Sequence, residues 1–191
     1  MSSLQDLLAD LISGDESRAE AAVPALLSMD AEALPALLDL TYSLEVDSRW
    51  WALRVLACSP HCESRWLIPF LSDPAPEVRQ CAALGLAVKP EDRATQALVG
   101  ALNDDDSMVG SLAANALVKI GGAAVPSLIE AVKQGRQSQR IHALRALAEI
   151  RDHRAIPIMM QVIQEDSALL QHWAKEGLDR LGLDMVYIKP L

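Results

Sequence analysis

Aromatic side chains are scarce in this chain of 191 residues: four Trp, two Tyr and one Phe, 4% in all. Sandwiches and barrels draw on aromatic and β-branched residues for their pleated faces, so the scarcity argues against an all-β fold. Cysteine is nearly as rare. Cys58, Cys62 and Cys81 are odd in number and lack a framework spacing, which speaks against a disulfide-stapled secreted domain. Cations are in deficit too, with 17 Lys and Arg against 26 Asp and Glu and a formal net charge of −9. A phosphate backbone is met by clustered Lys and Arg, and here they are scattered, so nucleic acid is not expected as a partner. A basic or uncharged protein surface suits the balance better. Nor is there a run of about 18 apolar residues to span a bilayer. The opening MSSLQDLLADLISGDE lacks a basic region, carries acids within its apolar stretch, and reads as an amphipathic helix over 1–14. The expectation is a cytoplasmic protein with no cofactor and no membrane partner.

What the chain does have is Ala and Leu, within a hydrophobic fraction of 51%, and they recur in phase. The window Ser48 to Leu56 matches Val78 to Leu86, Val109 to Leu117, Gln139 to Leu147 and Leu170 to Leu178, with a fainter copy from Ser17; successive starts lie 30 or 31 residues apart. The fifth position is Ala throughout (Ala21, Ala52, Ala82, Ala113, Ala143, Ala174), and the ninth is Leu in five copies. Positions 1, 5, 8 and 9 share one helical face, so this is the buried stripe of a helix. Small residues at two of those positions mean that neighbouring backbones approach closely. A second apolar pattern follows in each period, as in Leu67-Ile68-x-x-Leu71, Leu98-Val99-x-x-Leu102, Leu128-Ile129-x-x-Val132 and Met159-Met160-x-x-Ile163. Two helical patterns in one period predict a helix–turn–helix solenoid of about six units.

The punctuation agrees. Asp15, Asp47, Asp106 and Asp166 stand near first-helix starts, where a carboxylate can accept orphan N–H groups. Gly121-Gly122 separates two helices. Pro24 and Pro69 are expected to kink or shorten theirs. The chain then divides into an N-terminal capping helix (1–14), repeats (15–182) and an apolar capping tail (183–191), all in one domain over 1–191.

The residues Asp73 to Leu86 and Ser107 to Gly121 resemble HEAT-like repeats of the phycobilisome-lyase type, whose unit reads D-x-x-x-V-R-x-x-A-A-x-A-L-x-x-I-G before a second helix. The resemblance covers roughly residues 15–182. It implies an all-α, right-handed α-solenoid (an alpha–alpha superhelix) with a binding surface, second helices lining the concave face. The family includes bilin lyases alongside scaffolds and regulators. Deoxyhypusine hydroxylase shares the repeat but holds iron on His-Glu pairs, and this chain has no His-Glu dipeptide. The family's Arg at position two is kept as Arg18, Arg49, Arg79 and Arg140 and replaced by Gly110 and Gln171. Gly110 costs a helix about 1 kcal/mol against Ala and marks a soft spot.

Each candidate site has a functional and a plainer reading. The Arg ladder suits an anion, or an inter-repeat salt-bridge ladder; its recurrence favours the ladder. Cys58 and His61-Cys62-Glu63 contain metal-ligand types, but Pro60 breaks their helical relation and no second cluster completes a tetrahedral set, so no metal is expected. Cys62 beside His61 lacks an orienting third group. Trp50 faces away from the buried stripe, as a partner contact or as a surface covered by the N-terminal helix. Opposite the core pattern, the second helices carry Trp66, Pro69, Ala97, Gly100, Ser127, Glu130, Ile158 and Gln161, flanked by Phe70, Ala101, Ala131 and Val162. Only Glu130 is charged. That strip suits a partner helix, or reflects tight curvature that brings second helices together.

The leading expectation is a non-enzymatic protein-binding scaffold using the concave face through Trp50, Trp66, Pro69, Phe70, Ala97, Gly100, Glu130, Ile158 and Gln161, with no catalytic residue. The alternative is a bilin lyase or its partner subunit, in which Trp66, Phe70, Arg65 and Arg93 supply apolar walls and cations. Self-association through Trp50 is a third option.

Overall fold

The computed structural model describes residues 3–165 and 167–183, and every regular element among them is helical. The capping tail expected over 184–191 and the cap expected at Asp166 lie outside the described residues. Two compact units meet at Lys89 and Pro90.

The first unit opens with α1 (Leu4–Leu11), started by a reciprocal Ser3–Asp6 capping box that satisfies two orphan N–H groups. Leu7 and Leu11 are buried where α1 packs on α2 (Glu16–Ser28). There follow α3 (Asp30–Leu40), α4 (Val46–Cys58), α5 (Ser64–Leu67) and α6 (Pro76–Val88). α4 packs on both α2 and α6, first helix on first helix. The two suspect prolines act differently. Pro69 ends α5 after four residues, and the chain continues as a 3-10 turn over Ile68–Ser72. Pro24 is carried inside an unbroken α2 with its ring in solvent.

The second unit contains α7 (Thr95–Ala101), α8 (Ser107–Ile120), α9 (Val125–Gln134), α10 (Gln137–Ile150), α11 (Ile156–Val162) and α12 (Ala168–Arg180). α10 packs on α8 and α12, while α9 packs on α7 and α11. Pro126 and Pro157 sit in the first turns of α9 and α11, where no N–H is needed. No described helix is long and apolar enough to cross a membrane.

The Ala stripe is the core. Ala52, Ala82, Ala113, Ala143 and Ala174 are all fully buried. A Cβ added at Gly85 would stand 3.0 Å from both Ala57 Cβ and Leu67 Cδ1, and one at Gly177 only 2.6 Å from Met159 Cε. The helices therefore approach to the distance their smallest residues allow. The faint first copy needs a correction: Ala21 is exposed, whereas Ala22 and Leu26 are buried. Its register is shifted by one residue, which places Leu at the ninth position in all six copies.

Gly110 is also corrected. It is buried, and a Cβ there would meet the His142 ring at 3.0 Å; the missing side chain makes room for α10 rather than softening α8. Burial and the Arg145 charge hold the His142 imidazole below its ordinary pKa.

α8 and α10 both end on a residue of positive φ. Gly121 closes α8 at φ 75°, and Arg151, thirty residues on, closes α10 in the left-handed conformation at φ 57°. Glycine adopts that region freely, whereas an L side chain there costs about 1–2 kcal/mol. Arg151→Gly should therefore raise thermal stability by about 0.5–1 kcal/mol after the extra backbone entropy of glycine is subtracted. Conversely, Ala82→Leu should destabilise by about 1–3 kcal/mol through overpacking. Both are read from urea unfolding curves followed by circular dichroism.

Candidate functional site

The recurrent arginines are structural clamps. In the first unit Arg49 grips Asp73 bidentately, with Nε and Nη2 each donating at 2.8 Å, while Nη1 donates to the carbonyls of Ser43 at 2.9 Å and Leu44 at 3.1 Å. Arg79 repeats the second half of this pattern, its Nη1 donating to the carbonyls of Asp73 and Pro74 at 2.9 and 3.2 Å. In the second unit Arg140 donates from Nε to the Val132 carbonyl at 2.7 Å and from Nη2 to Glu165 at 2.6 Å. Arg49 and Arg79 tie the loop before their own helix, Arg140 ties the last turn of α9, and Arg49 and Arg140 also hold a carboxylate 24 or 25 residues further along the chain. These bonds to the protein's own carbonyls and carboxylates favour the ladder reading over the anion reading.

The metal-ligand types around Cys62 come together differently than expected. His61 Nδ1 and Ser59 Oγ both hydrogen-bond the Asp30 carboxylate, and Lys89 Nζ donates to the Ser59 carbonyl at 2.6 Å. Burial raises the Asp30 carboxyl, but the Ser59 and His61 hydrogen bonds outweigh it and hold the pKa below its ordinary value. Asp30 is thus a third group for His61, 31 residues away in sequence. Nothing local marked it. The thiols do not use it: burial, against the opposing Lys89 charge, pushes Cys62 up to about 11, and burial takes Cys81 to about 12. Both are protonated at neutral pH, and Cys58 stands exposed. Among the described residues no three His, Cys, Asp or Glu side chains are placed to hold a metal ion.

The strip expected on the second helices is only partly surface. Pro69, Gly100, Glu130 and Gln161 are exposed, and Trp66 and Ala97 half-buried. Ile158 and Phe70 are buried, as are the flanking Ala101, Ala131 and Val162. Phe70 lies under Tyr42, ring centroids 5.9 Å apart. These five residues are uncharged because they are core: Phe70 turns inward in the 3-10 turn after α5, and Ile158 and Val162 on the inner side of α11. Arg65 stands 5.6 Å over the Trp66 ring and pairs with Glu63 at 2.8 Å. In the second unit, Arg93 pairs with Glu91 at 2.9 Å, and a hollow of about 430 Å³ is lined by Gln96, Ser127, Glu130, Gln134 and Gln139 among others.

Trp50 is half-buried and open to solvent on one side. It meets Trp51 edge-on at 4.9 Å, and the Arg54 guanidinium lies 5.3 Å from its ring centre. The end of α1 borders Trp50 without covering it.

The family model for HEAT repeats matches residues 64–139, and that for the PBS lyase HEAT-like repeat matches residues 139–165. The chain has the HEAT-like repeat fold. Two curated relatives are the bilin biosynthesis protein RpcF of Synechococcus sp. (strain WH8020), 32% identical over 87 residues (45% of this chain, 42% of the relative), and the phycocyanobilin lyase subunit beta of Nostoc sp. (strain PCC 7120), 28% identical over 107 residues (56% and 54%). The matched part thus spans about half the length of each relative. Among solved structures, the archaeal HEAT-like repeats protein from Thermococcus onnurineus NA1 superposes with a TM-score of 0.66 at 16% identity, covering 100% of this chain and 83% of that one. The CpcE–CpcF complex of phycocyanin lyase from Nostoc superposes with a TM-score of 0.57 at 20% identity, covering 95% and 78%. At such identities the structural likeness speaks for the HEAT-like fold alone. The two curated relatives overturn the expectation of a non-enzymatic scaffold working through a concave apolar face: both are named for bilin chemistry, and the apolar residues meant to furnish that face are in large part core.

The Arg49–Asp73 pair yields a measurable consequence. Burial raises the Asp73 carboxyl, but the Arg49 hydrogen bonds, the Ala75 N–H and the Arg49 and Arg79 charges outweigh it, so its folded pKa lies below the ordinary 3.8. A depressed folded pKa gives stability that is present above the unfolded value and lost as pH falls through the folded one. With Arg49 only 12% and Asp73 only 6% exposed, Asp73→Ala should cost about 3 kcal/mol at pH 7 by stranding the guanidinium. The difference between the two proteins should shrink as pH drops from about 4 downward, which unfolding curves across pH 2–7 would check.

Proposed function

We propose that this HEAT-like repeat protein is a subunit of a bilin lyase, helping to join a linear tetrapyrrole to a phycobiliprotein. The match to two relatives named for bilin biosynthesis and for a phycocyanobilin lyase carries the reading. A linear tetrapyrrole has apolar edges and two propionates, so a chain that handles it needs an aromatic wall and cations near the surface. Arg65 over Trp66 supplies that combination in the first unit, both side chains being solvent-accessible. A propionate would take the place Glu63 now holds on Arg65. Phe70, expected as a second wall, is buried and takes no part in this role.

The buried thiols favour a supporting subunit. Cys62 and Cys81 are held protonated by burial, so neither is poised to attack a bilin, and the sulfur that receives the chromophore belongs to the acceptor protein. The partner expected from this reading is a second HEAT-like repeat chain, by analogy with the CpcE–CpcF complex.

Titrating the purified chain with phycocyanobilin should shift and intensify the visible absorption of the bilin. Arg65→Ala should weaken the apparent affinity severalfold, since a charge-assisted hydrogen bond is worth about 1.5–3 kcal/mol before solvent exposure reduces it. If the spectrum remains that of free bilin, with the chain alone and with the chain mixed with either CpcE or CpcF, the reading is wrong.

A further inference from the structure

Trp50 is the ridge between two hollows in the first unit, and neither takes part in the bilin reading. One, of about 470 Å³, is lined by the end of α1 and the start of α4, including Ile12, Glu16, Glu45 and Asp47. The other, of about 570 Å³, is lined by Val46, Asp47, Trp50, Glu77 and Gln80. Large apolar surface is bare there: Ile12 is 44% and Val46 38% exposed.

The charge on the rim is one-sided. Glu16, Glu45, Asp47 and Glu77 are all exposed, and among the described residues none of them makes an ion pair or a side-chain hydrogen bond. The cations close by are spoken for. Arg54 lies against Trp50 and Trp51 and pairs with Glu20 at 2.8 Å, and Arg49 is held by Asp73. Four carboxylates therefore surround an indole and two aliphatic side chains with no cation to balance them.

We infer that this surface docks a segment of a partner protein carrying Arg or Lys side chains. The aliphatic stem of such a residue can lie along Trp50, Ile12 or Val46 while its head meets the carboxylates. A guanidinium or ammonium gains most where an aromatic face and acids converge, because desolvation by the ring strengthens the charge pairing. A second copy of the chain fits poorly, since a two-fold contact would bring these carboxylates onto themselves. The match is to a cationic segment, and the net charge of −9 draws such a segment in from a distance.

The test uses a fluorescein-labelled octapeptide of alternating Lys and Arg, and a glutamine octapeptide as the neutral counterpart, followed by fluorescence anisotropy against the full chain. The basic peptide should bind and the neutral one should not. The Asp47→Asn/Glu77→Gln double variant should weaken binding about tenfold, as two lost charge pairs at a partly desolvated rim imply. Neutralising two distant acids, Glu32→Gln with Asp39→Asn, should change it less than twofold. Trp50→Leu should weaken binding severalfold at both low and moderate salt, and thermal melting of each variant confirms that it is folded. Equal losses from the two acid pairs would reduce the effect to net charge and overturn the assignment. So would binding that ignores Trp50→Leu, or a concentration-dependent dimer in ultracentrifugation that Trp50→Leu dissolves. No bilin enters these measurements, so they stand or fall apart from the lyase reading.

Discussion

The close approach of neighbouring first helices at small residues governs everything else in this molecule. Where Gly85 faces Ala57 and Leu67, an added methyl would collide at 3.0 Å, so each unit packs at the separation set by its smallest side chains. Such packing gains dispersion contacts on all sides of the Leu residues at the ninth position, which are fully buried. It also fixes how the loops between helices must run, because two helices in register leave only a short path from one to the next. The clamp arginines exist to hold those paths. Arg49 and Arg79 each bind two carbonyls of the preceding loop, groups that would otherwise lack partners near a helix start.

From this constraint comes a division of labour along each repeat. Residues on the shared stripe must be small or branched and cannot carry chemistry. Residues on the loops are taken up by capping and clamping, as Asp15, Asp73 and Asp106 are. What remains for recognition is the outer side of the first helices and the exposed edge of the second ones. Trp50 lies on the former; Arg65 and Trp66 lie on the latter. A repeat protein similar over about half their length to two proteins named for bilin chemistry has thus kept its framework positions regular, while the positions between them vary from copy to copy, as Trp50, Gln80, Ser111 and His172 do at position three.

The thiol chemistry illustrates how environment overrides residue type. Cys62 sits beside a histidine that is itself held by a carboxylate, an arrangement that on paper suggests a nucleophile. Burial decides otherwise, pushing the thiol to about 11 despite the Lys89 charge nearby. The Asp30, Ser59 and His61 bonds instead fasten the end of α4 to the start of α3, a tie between elements.

The helical class, the period, the buried Ala and Leu positions and the Gly121 cap were all legible in the sequence, because a helix writes its contacts at spacings of three and four and a repeat writes them again every 30 or 31 residues. The fainter first copy lies one residue out of the expected register, since a lone Ala match at Ala21 carries less weight than the buried Leu26. The short second helices were the other failure. Pro69 cuts α5 to a single turn, and over so few residues periodicity cannot fix which side faces inward, so Phe70 and Ile158 are core where the pattern predicts surface. The pairing of Arg49 with Asp73 and of His61 with Asp30, and the isolation of the carboxylates around Trp50, depend on contacts between residues 24 or more apart in the chain. Only the packed helices decide which charges meet and which are left for a partner.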